Sequence, residues 1–202
     1  NILIFNVFMS KINASFVIQY FNHRDNIIPI AESIIGLWDG NEEIIFHNDS
    51  NSDHDIFEKL CNRKPKLNEK IRCIVSDNIH EIRGYNKCIP ECKGEYIFLM
   101  QDDDILNGKD WVKDIKCLFN KFSDLGIIGL MNGGMHNWGS FSSMRINNKD
   151  IEYKIDDIRF QFVLWANLAP FVVRKSIFEK IGYFDTRYSK KGESGIGLDS
   201  DI

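Results

Sequence analysis

Short apolar runs alternate with longer segments of helical spacing along the chain as far as residue 131. The apolar runs are rich in β-branched and aromatic residues, as buried strands are, and they predict strands at 15–21, 43–47, 71–75, 96–100 and 126–131. Apolar residues at helical spacing between these runs predict helices at 27–38, 56–61, 79–92 and 111–122. This alternation predicts an α/β fold with a mostly parallel central sheet flanked by helices.

The alternation ends after Asn132, and the rest of the chain is more irregular. Paired glycines and a serine-rich stretch up to Arg145 predict loops and short antiparallel strands. An apolar run at 171–173 precedes a predicted helix at 175–181, which Gly182 ends. The pattern predicts one domain whose C-terminal half is less regular than its N-terminal half.

We expect this domain to cover residues 15–202, with a regular half at 15–131 and an irregular half at 132–202. Residues 1–14 are interpreted as an N-terminal extension. The final residues carry no helix stop signal, so we expect either a piece of a longer polypeptide or a disordered continuation at this end.

Composition and charge argue against several kinds of partner and location. The 202 residues are 44% hydrophobic and carry a net charge of −4, which argues against a nucleic acid held through its phosphates. No apolar run reaches the ~18 residues of a membrane span, and the start lacks the basic region of a signal peptide. The five cysteines follow no disulfide or zinc pattern. We therefore expect a cytoplasmic protein, peripheral to a membrane at most.

Three polar clusters follow predicted strands, at 22–25, 48–53 and 102–104. Ligands of an open parallel sheet bind outside the carboxyl ends of its strands, so these clusters are the candidate site. The histidines outside the C-terminal loops, His23, His47, His54 and His80, match no zinc pattern and are interpreted as structural or exposed.

The strongest single signal is the run Asp102-Asp103-Asp104, directly after the predicted strand at 96–100. Three adjacent carboxylates repel one another, and a hard divalent cation, Mg²⁺ or Mn²⁺, neutralises them through one or two carboxylates and substrate phosphate oxygens. The alternative is a helix N-terminus, where aspartate is favoured by capping and by the helix dipole.

Seven motifs occur in an order that resembles the family-two glycosyltransferases of the GT-A fold. They are Gln19-Tyr20-Phe21-Asn22, His47-Asn48-Asp49-Ser50, Arg83-Gly84-Tyr85-Asn86, Gly94-Glu95-Tyr96-Ile97, Gln101-Asp102-Asp103-Asp104, Arg174 with Ile181-Gly182-Tyr183-Phe184-Asp185, and Gly197-Leu198-Asp199-Ser200-Asp201. The resemblance implies a Rossmann-like GT-A domain with a nucleotide-binding half at 15–131 and an acceptor-side half at 132–202. It also implies an inverting transferase with a DxD-type carboxylate motif.

The resemblance further implies roles for individual residues. Those implied to bind the nucleotide sugar are Tyr20, Phe21, Asn22, Asp49, Arg83, Asn86, Asp102 and Asp103. Asp102 and Asp104 would hold Mn²⁺ or Mg²⁺, and Asp199 would be the general base. The donor would be a UDP-, GDP- or dTDP-sugar, and the acceptor a glycan or another hydroxyl compound.

The chain departs from the family pattern at three positions. Asn48 stands where the family has the first aspartate of its second motif, and Tyr85 stands where it has an arginine, so that Arg83 is the nearest arginine. Leu198 replaces the glutamate before the base.

Two further residues are weaker candidates on the acceptor side. Trp138, in a glycine-rich loop, would stack on a sugar face, and His136 in the same loop is a candidate for reaching the metal. Their alternative interpretation is an ordinary loop with one anchoring aromatic residue.

Two other functions are compatible with this fold class. One is a sugar-phosphate nucleotidyltransferase, although the glycine-rich phosphate loop of that class is replaced here by Asn22-His23-Arg24-Asp25. The other is a catalytically silent carbohydrate-binding domain, which would need neither Asp199 nor the acidic run.

Overall fold

The computed structural model describes residues 12–37, 40–63, 69–106, 111–130, 153–160, 162, 170–190 and 192–193. The strands in these ranges are β1 (Ala14–Tyr20), β2 (Glu42–Asn48), β3 (Ile71–Val75), β4 (Tyr96–Gln101), β5 (Ile127–Gly129), β6 (Tyr153–Ile155), β7 (Ile158–Phe160) and β8 (Phe171–Arg174). The α-helices are α1 (Ile27–Ile35), α2 (His54–Arg63), α3 (His80–Cys88), α4 (Trp111–Lys121) and α5 (Lys175–Ile181).

Six strands form the central sheet in the order β3-β2-β1-β4-β8-β5. β1 lies between β2 and β4 and is parallel to both, and β2 is parallel to β3. The predicted mostly parallel α/β sheet is therefore confirmed. β8 is antiparallel to both of its neighbours, β4 and β5, and brings the C-terminal part of the chain into the sheet. β6 and β7 pair separately as an antiparallel hairpin.

Helices cover both faces of this sheet, which explains why all seven residues of β1 are buried. Side chains of a strand alternate between faces. Phe16, Ile18 and Tyr20 belong to an apolar cluster that also includes buried residues from α1, α2 and α4. Val17 belongs to the opposite cluster, with the buried residues of α3 and α5. A strand buried on both faces has to be apolar almost throughout, and that is the pattern seen in the sequence.

The element boundaries differ from the prediction where local chemistry intervenes. The first strand ends at Tyr20, and Phe21, predicted as its last residue, is 43% exposed. The helix predicted at 79–92 ends at Cys88 and continues as a 3-10 turn over Ile89–Glu91. Pro90 has no backbone N–H to continue the α-helical bonding, which accounts for the change.

The predicted helix at 27–38 ends at Ile35, and the predicted strand at 126–131 covers Ile127–Gly129. None of the helices in the described ranges combines the length and apolar character that crossing a bilayer requires.

Candidate functional site

The carboxyl ends of β1, β2 and β4 lie side by side, because these strands are parallel neighbours in the sheet. Tyr20, the last residue of β1, pairs with Asn48 on β2, and Gln19 pairs with Gln101 on β4. The polar clusters at 22–25, 48–53 and 102–104 therefore follow strands that end at one edge of the sheet. α3 also begins at this edge, because β3 is parallel to β2 and leads into it.

Asp102 connects the end of β4 to the segment after β1. Its carboxylate accepts a 2.8 Å hydrogen bond from the backbone N–H of Phe21, and His23 Nδ1 lies 2.8 Å from its other oxygen. Asn26 Nδ2 donates to the Asp102 carbonyl at 2.8 Å. Three contacts from residues 21–26 thus fix Asp102, which is 8% exposed.

Asp103 and Asp104 have different surroundings in the same turn. Asp104 is 4% exposed, and its Oδ2 accepts a 2.8 Å hydrogen bond from the Gln101 backbone N–H. Asp103 is partly exposed at the edge of the sheet. The role of Asp104 as a metal ligand stays a prediction, while the observed bond closes the turn that ends β4.

Asp49 caps helix α3. Its two carboxylate oxygens accept hydrogen bonds of 2.8 Å and 2.7 Å from the backbone N–H groups of Ile79 and His80, and the residue is 1% exposed. These N–H groups begin a helix and have no partner within it. In this structure Asp49 therefore holds α3 against the end of β2, and its predicted contact with the nucleotide is untested.

Tyr20 is fully buried at the end of β1. Its hydroxyl donates to Asp53 Oδ2 at 2.6 Å, and Arg24 Nη1 donates to Asp53 Oδ1 at 2.9 Å. Burial and the neighbouring Asp53 carboxylate raise the pKa of the Tyr20 phenol well above its usual range. The hydrogen bond from Arg24 to Asp53 joins the loop after β1 to the loop after β2.

Phe21 and Asn22 follow the end of β1 directly, and both are exposed. Asn22 has a positive φ of 60°, which turns the chain sharply after the strand. The Phe21 ring lies near the His80 ring, with centroids 6.4 Å apart and planes inclined by 22°. Phe21 is exposed and His80 is half-buried, and the pair offers a surface at this edge on which a planar group can stack.

Arg83 and Asn86 contact the C-terminal segment of the described chain. Arg83 Nη2 donates to the carbonyl oxygens of Thr186 and Ser189, at 3.3 Å and 2.8 Å. Asn86 makes two bonds to the backbone of Phe184, donating at 2.7 Å and accepting at 3.0 Å. Their predicted role in nucleotide binding stays a prediction, and the geometry gives them a positioning role for residues 184–189.

Sequence reasoning missed three residues at this edge. His23 and His80 were interpreted as structural or exposed, but His23 pairs with Asp102 and His80 lies beside Phe21. Glu81, the second residue of α3, accepts a 3.2 Å hydrogen bond from Gln101 Nε2, and burial raises its pKa. No pattern in the sequence brings these residues together, because they follow different strands.

A buried polar network of Gln19, His47 and Ser76 lies next to the site residues at the ends of β1 and β2. His47 Nδ1 lies 2.7 Å from Gln19 Oε1, and its Nε2 lies 2.9 Å from Ser76 Oγ. Glutamine Oε1 only accepts, so Nδ1 carries the hydrogen and Nε2 accepts from the Ser76 hydroxyl. Lys87 Nζ donates to the same hydroxyl at 2.8 Å. Burial lowers the pKa of His47 to about 4, which keeps the ring neutral.

The family profile described as Glycosyl transferase family 2 matches residues 15–182. The chain belongs to this family. Among curated protein sequences, none is significantly similar to the chain.

Solved GT-A glycosyltransferases share the family fold at low sequence identity. The mannosyltransferase PcManGT from Pyrobaculum calidifontis, in complex with GDP-Man and Mn²⁺, has a TM-score of 0.64 and 12% identity over 94% of this chain. S. aureus TarS 1–349 has a TM-score of 0.54 and 15% identity over 88% of the chain. GalNAc-T7, with UDP, GalNAc and Mn²⁺, has a TM-score of 0.62 and 12% identity over 95% of it.

The chain is shorter than these proteins. It spans 50% of the PcManGT chain, 52% of the TarS 1–349 chain and 40% of the GalNAc-T7 chain. These similarities support the expected GT-A fold.

The chemistry of the acidic turn is compatible with a hard divalent cation held through few protein ligands. Among the described residues, no group of three or more histidine, cysteine or acidic side chains has the spacing to hold a metal. Mg²⁺ is usually held by one or two carboxylates together with substrate phosphates and water, so a complete protein cage is unnecessary. A carboxylate offers about four acceptor positions, so Asp102 retains capacity for an ion beside its two contacts.

Three predicted site residues lie outside the described part of the chain. They are the proposed base Asp199 and the acceptor-side candidates His136 and Trp138. Their roles stay predictions.

Proposed function

We propose that this chain transfers a sugar from a nucleoside-diphosphate sugar to a hydroxyl acceptor, with a divalent cation and with inversion at the anomeric carbon. Membership of family 2 supports the reaction class. The observation that carries the proposal is the position of Asp102, where the acidic turn after β4 meets the segment after β1.

The charge at this edge supports the proposed need for a cation. Glu81 lies next to the acidic turn through Gln101, so carboxylates of α3 and of residues 102–104 share one region. A diphosphate brought there alone would be repelled. A bound Mn²⁺ or Mg²⁺ would neutralise the diphosphate and stabilise the charge that develops on the leaving group. Asp102, together with Asp103 or Asp104, would hold the ion.

The donor is proposed to be a UDP-, GDP- or dTDP-sugar. PcManGT was solved with GDP-Man and Mn²⁺, and TarS with UDP-GlcNAc, so proteins of this fold bind donors with different bases. The acceptor is proposed by chemical class, as a glycan or another hydroxyl compound, and the donor sugar is to be identified by experiment.

Asp199 is proposed as the general base that takes the proton from the acceptor hydroxyl. A positioned carboxylate contributes a factor of about 10²–10⁴ to such a step. One base opposite the leaving group gives a single displacement, which inverts the anomeric carbon. NMR of the product tests this point directly, because inversion of an α-linked donor yields a β-linked product.

The main test is a screen of UDP-, GDP- and dTDP-sugars for hydrolysis and transfer with Mn²⁺, Mg²⁺ or EDTA. Asp102→Asn, Asp103→Asn and Asp104→Asn are compared with Asp124→Asn, an exposed aspartate between α4 and β5 at the opposite edge of the sheet. Metal-dependent turnover lost in at least one turn variant, but kept in Asp124→Asn, supports the proposal.

The outcomes also separate the alternatives. Sugar binding without turnover of any donor would indicate a silent carbohydrate-binding domain. Formation of a nucleotide sugar from a sugar phosphate and a nucleoside triphosphate would indicate a nucleotidyltransferase. Equal turnover with Mn²⁺ and with EDTA would refute the metal-dependent mechanism.

A further inference from the structure

His80 occupies a backbone conformation that a histidine rarely adopts. Its φ is +62°, in the left-handed region that only a few per cent of residues other than glycine occupy. The residue is nevertheless held there, because its backbone N–H donates to Asp49 Oδ2 at 2.7 Å. This conformation at the start of α3 fixes where the imidazole ring can lie.

The ring lies beside Phe21, at the open edge of the sheet. The two ring planes are inclined by only 22°, and their centroids are 6.4 Å apart. Phe21 is 43% exposed, so the pair is accessible to a ligand. The pair is also fixed on both sides, because Asp102 binds the Phe21 N–H and Asp49 binds the His80 N–H.

A nucleobase that stacks on one of these rings reaches the other. The centroids are only 6.4 Å apart and the planes are nearly parallel, so both rings are within reach of one planar ligand of nucleobase size. If the base lies across the pair, its width covers parts of both rings. Stacking of this kind tolerates different bases, because every base has a π face.

We propose that His80 is a second stacking residue for the nucleobase of the donor and that it works together with Phe21. The inference rests on the proposed function, because it assumes a nucleotide ligand. His80 would increase the affinity for the base and leave the affinity for the metal and the diphosphate unchanged.

The test measures binding of UDP, GDP, dTDP and inorganic pyrophosphate by calorimetry with Mn²⁺ present. His80→Gly and His80→Asn both tolerate a positive φ and both lack the aromatic ring. We expect each to keep the melting temperature of the unmodified protein or to raise it. Loss of one aromatic platform should weaken UDP and GDP binding roughly tenfold. Binding of pyrophosphate, which has no base, should not change.

His54→Gly is the matched control, because His54 is the exposed first residue of α2. It should bind all four ligands as the unmodified protein does. Unchanged UDP affinity in both His80 variants would overturn the inference, as would an equal loss of UDP and pyrophosphate binding. If the unmodified protein binds none of UDP, GDP and dTDP, the proposed function itself fails, and the two failures are thereby distinguished.

Discussion

Replacing Gly84 with alanine tests how closely α3 must approach the sheet beneath the site. A Cβ atom at Gly84 would lie 2.3 Å from Gln19 Oε1 and 2.4 Å from His47 Nδ1. These two atoms are joined to each other by a 2.7 Å hydrogen bond, and both residues are buried. The added methyl group must therefore push apart a buried polar pair or lift α3 from β1 and β2.

The change in the free energy of unfolding combines two destabilising effects and one stabilising effect. Overpacking a well-packed core costs about 1–3 kcal/mol, and a buried polar group left without its partner costs about 1–3 kcal/mol. Alanine returns about 1 kcal/mol, because glycine is a poor helix former. We expect Gly84→Ala to lower the free energy of unfolding by about 3 kcal/mol on balance. Gln19 and His47 directly precede the site residues Tyr20 and Asn48, so nucleotide affinity should fall as well.

Urea unfolding followed by circular dichroism measures the change. Gly126→Ala is the control, because among the described residues its Cβ would meet only the Ile177 side chain, at an ordinary 3.4 Å from Cδ1 and 3.5 Å from Cγ1. That variant should stay within about 1 kcal/mol of the unmodified protein. If Gly84→Ala is instead more stable by about 1 kcal/mol, as expected for an open helix position, the close packing of α3 on the Gln19–His47 pair is refuted.

Three further predictions use the same unfolding and binding assays. Burial lowers the pKa of His47 from 6.5 to about 4, so as the pH falls the unfolded chain takes up this proton before the folded protein does. The free energy of unfolding should therefore be highest above pH 6.5 and fall by about 3 kcal/mol towards pH 4. His47→Gln should not show this loss. Asn86→Ala removes two hydrogen bonds to the Phe184 backbone. If Asn86 only positions residues 184–189, this variant should lower kcat with little change in UDP affinity. A large loss of UDP affinity would instead support the nucleotide-binding role predicted from the sequence. Glu43→Ala should lower the free energy of unfolding by about 2–4 kcal/mol, because buried Glu43 accepts a 2.9 Å hydrogen bond from Arg72, which is 29% exposed. A decrease below about 0.5 kcal/mol would contradict this prediction.

The sheet could be predicted from the sequence because burial on both faces leaves a strong pattern. β4 is apolar from Tyr96 to Met100, and a strand of that kind fits only between two helical layers. The position of β8 could not be predicted. The apolar run at 171–173 indicates burial but carries no information about direction or neighbours, and pairing with both β4 and β5 is decided by tertiary packing.

The region of the site could also be predicted, because ligand sites of parallel sheets lie at the carboxyl ends of strands. The contacts within it could not. A carboxylate after a strand can bind a ligand or a nearby backbone N–H, and the sequence does not distinguish the two. The packing of α3 over β1 and β2 brings the N-terminus of this helix to Asp49, so the carboxylate binds backbone N–H groups there. The same argument applies to Arg83, whose partners are 103 and 106 residues away.

Asp102 combines a structural and a proposed chemical role, and the two can be separated experimentally. Its bond from the Phe21 N–H needs only one acceptor oxygen, which asparagine also has. Binding of a hard cation needs the negative charge, which asparagine lacks. Asp102→Asn should therefore keep most of the stability and lose metal-dependent nucleotide binding, whereas Asp102→Ala should lose both. If Asp102→Asn binds Mn²⁺ and UDP normally, Asp102 serves only to join β4 to the end of β1, and the ion must be held by Asp103 or Asp104.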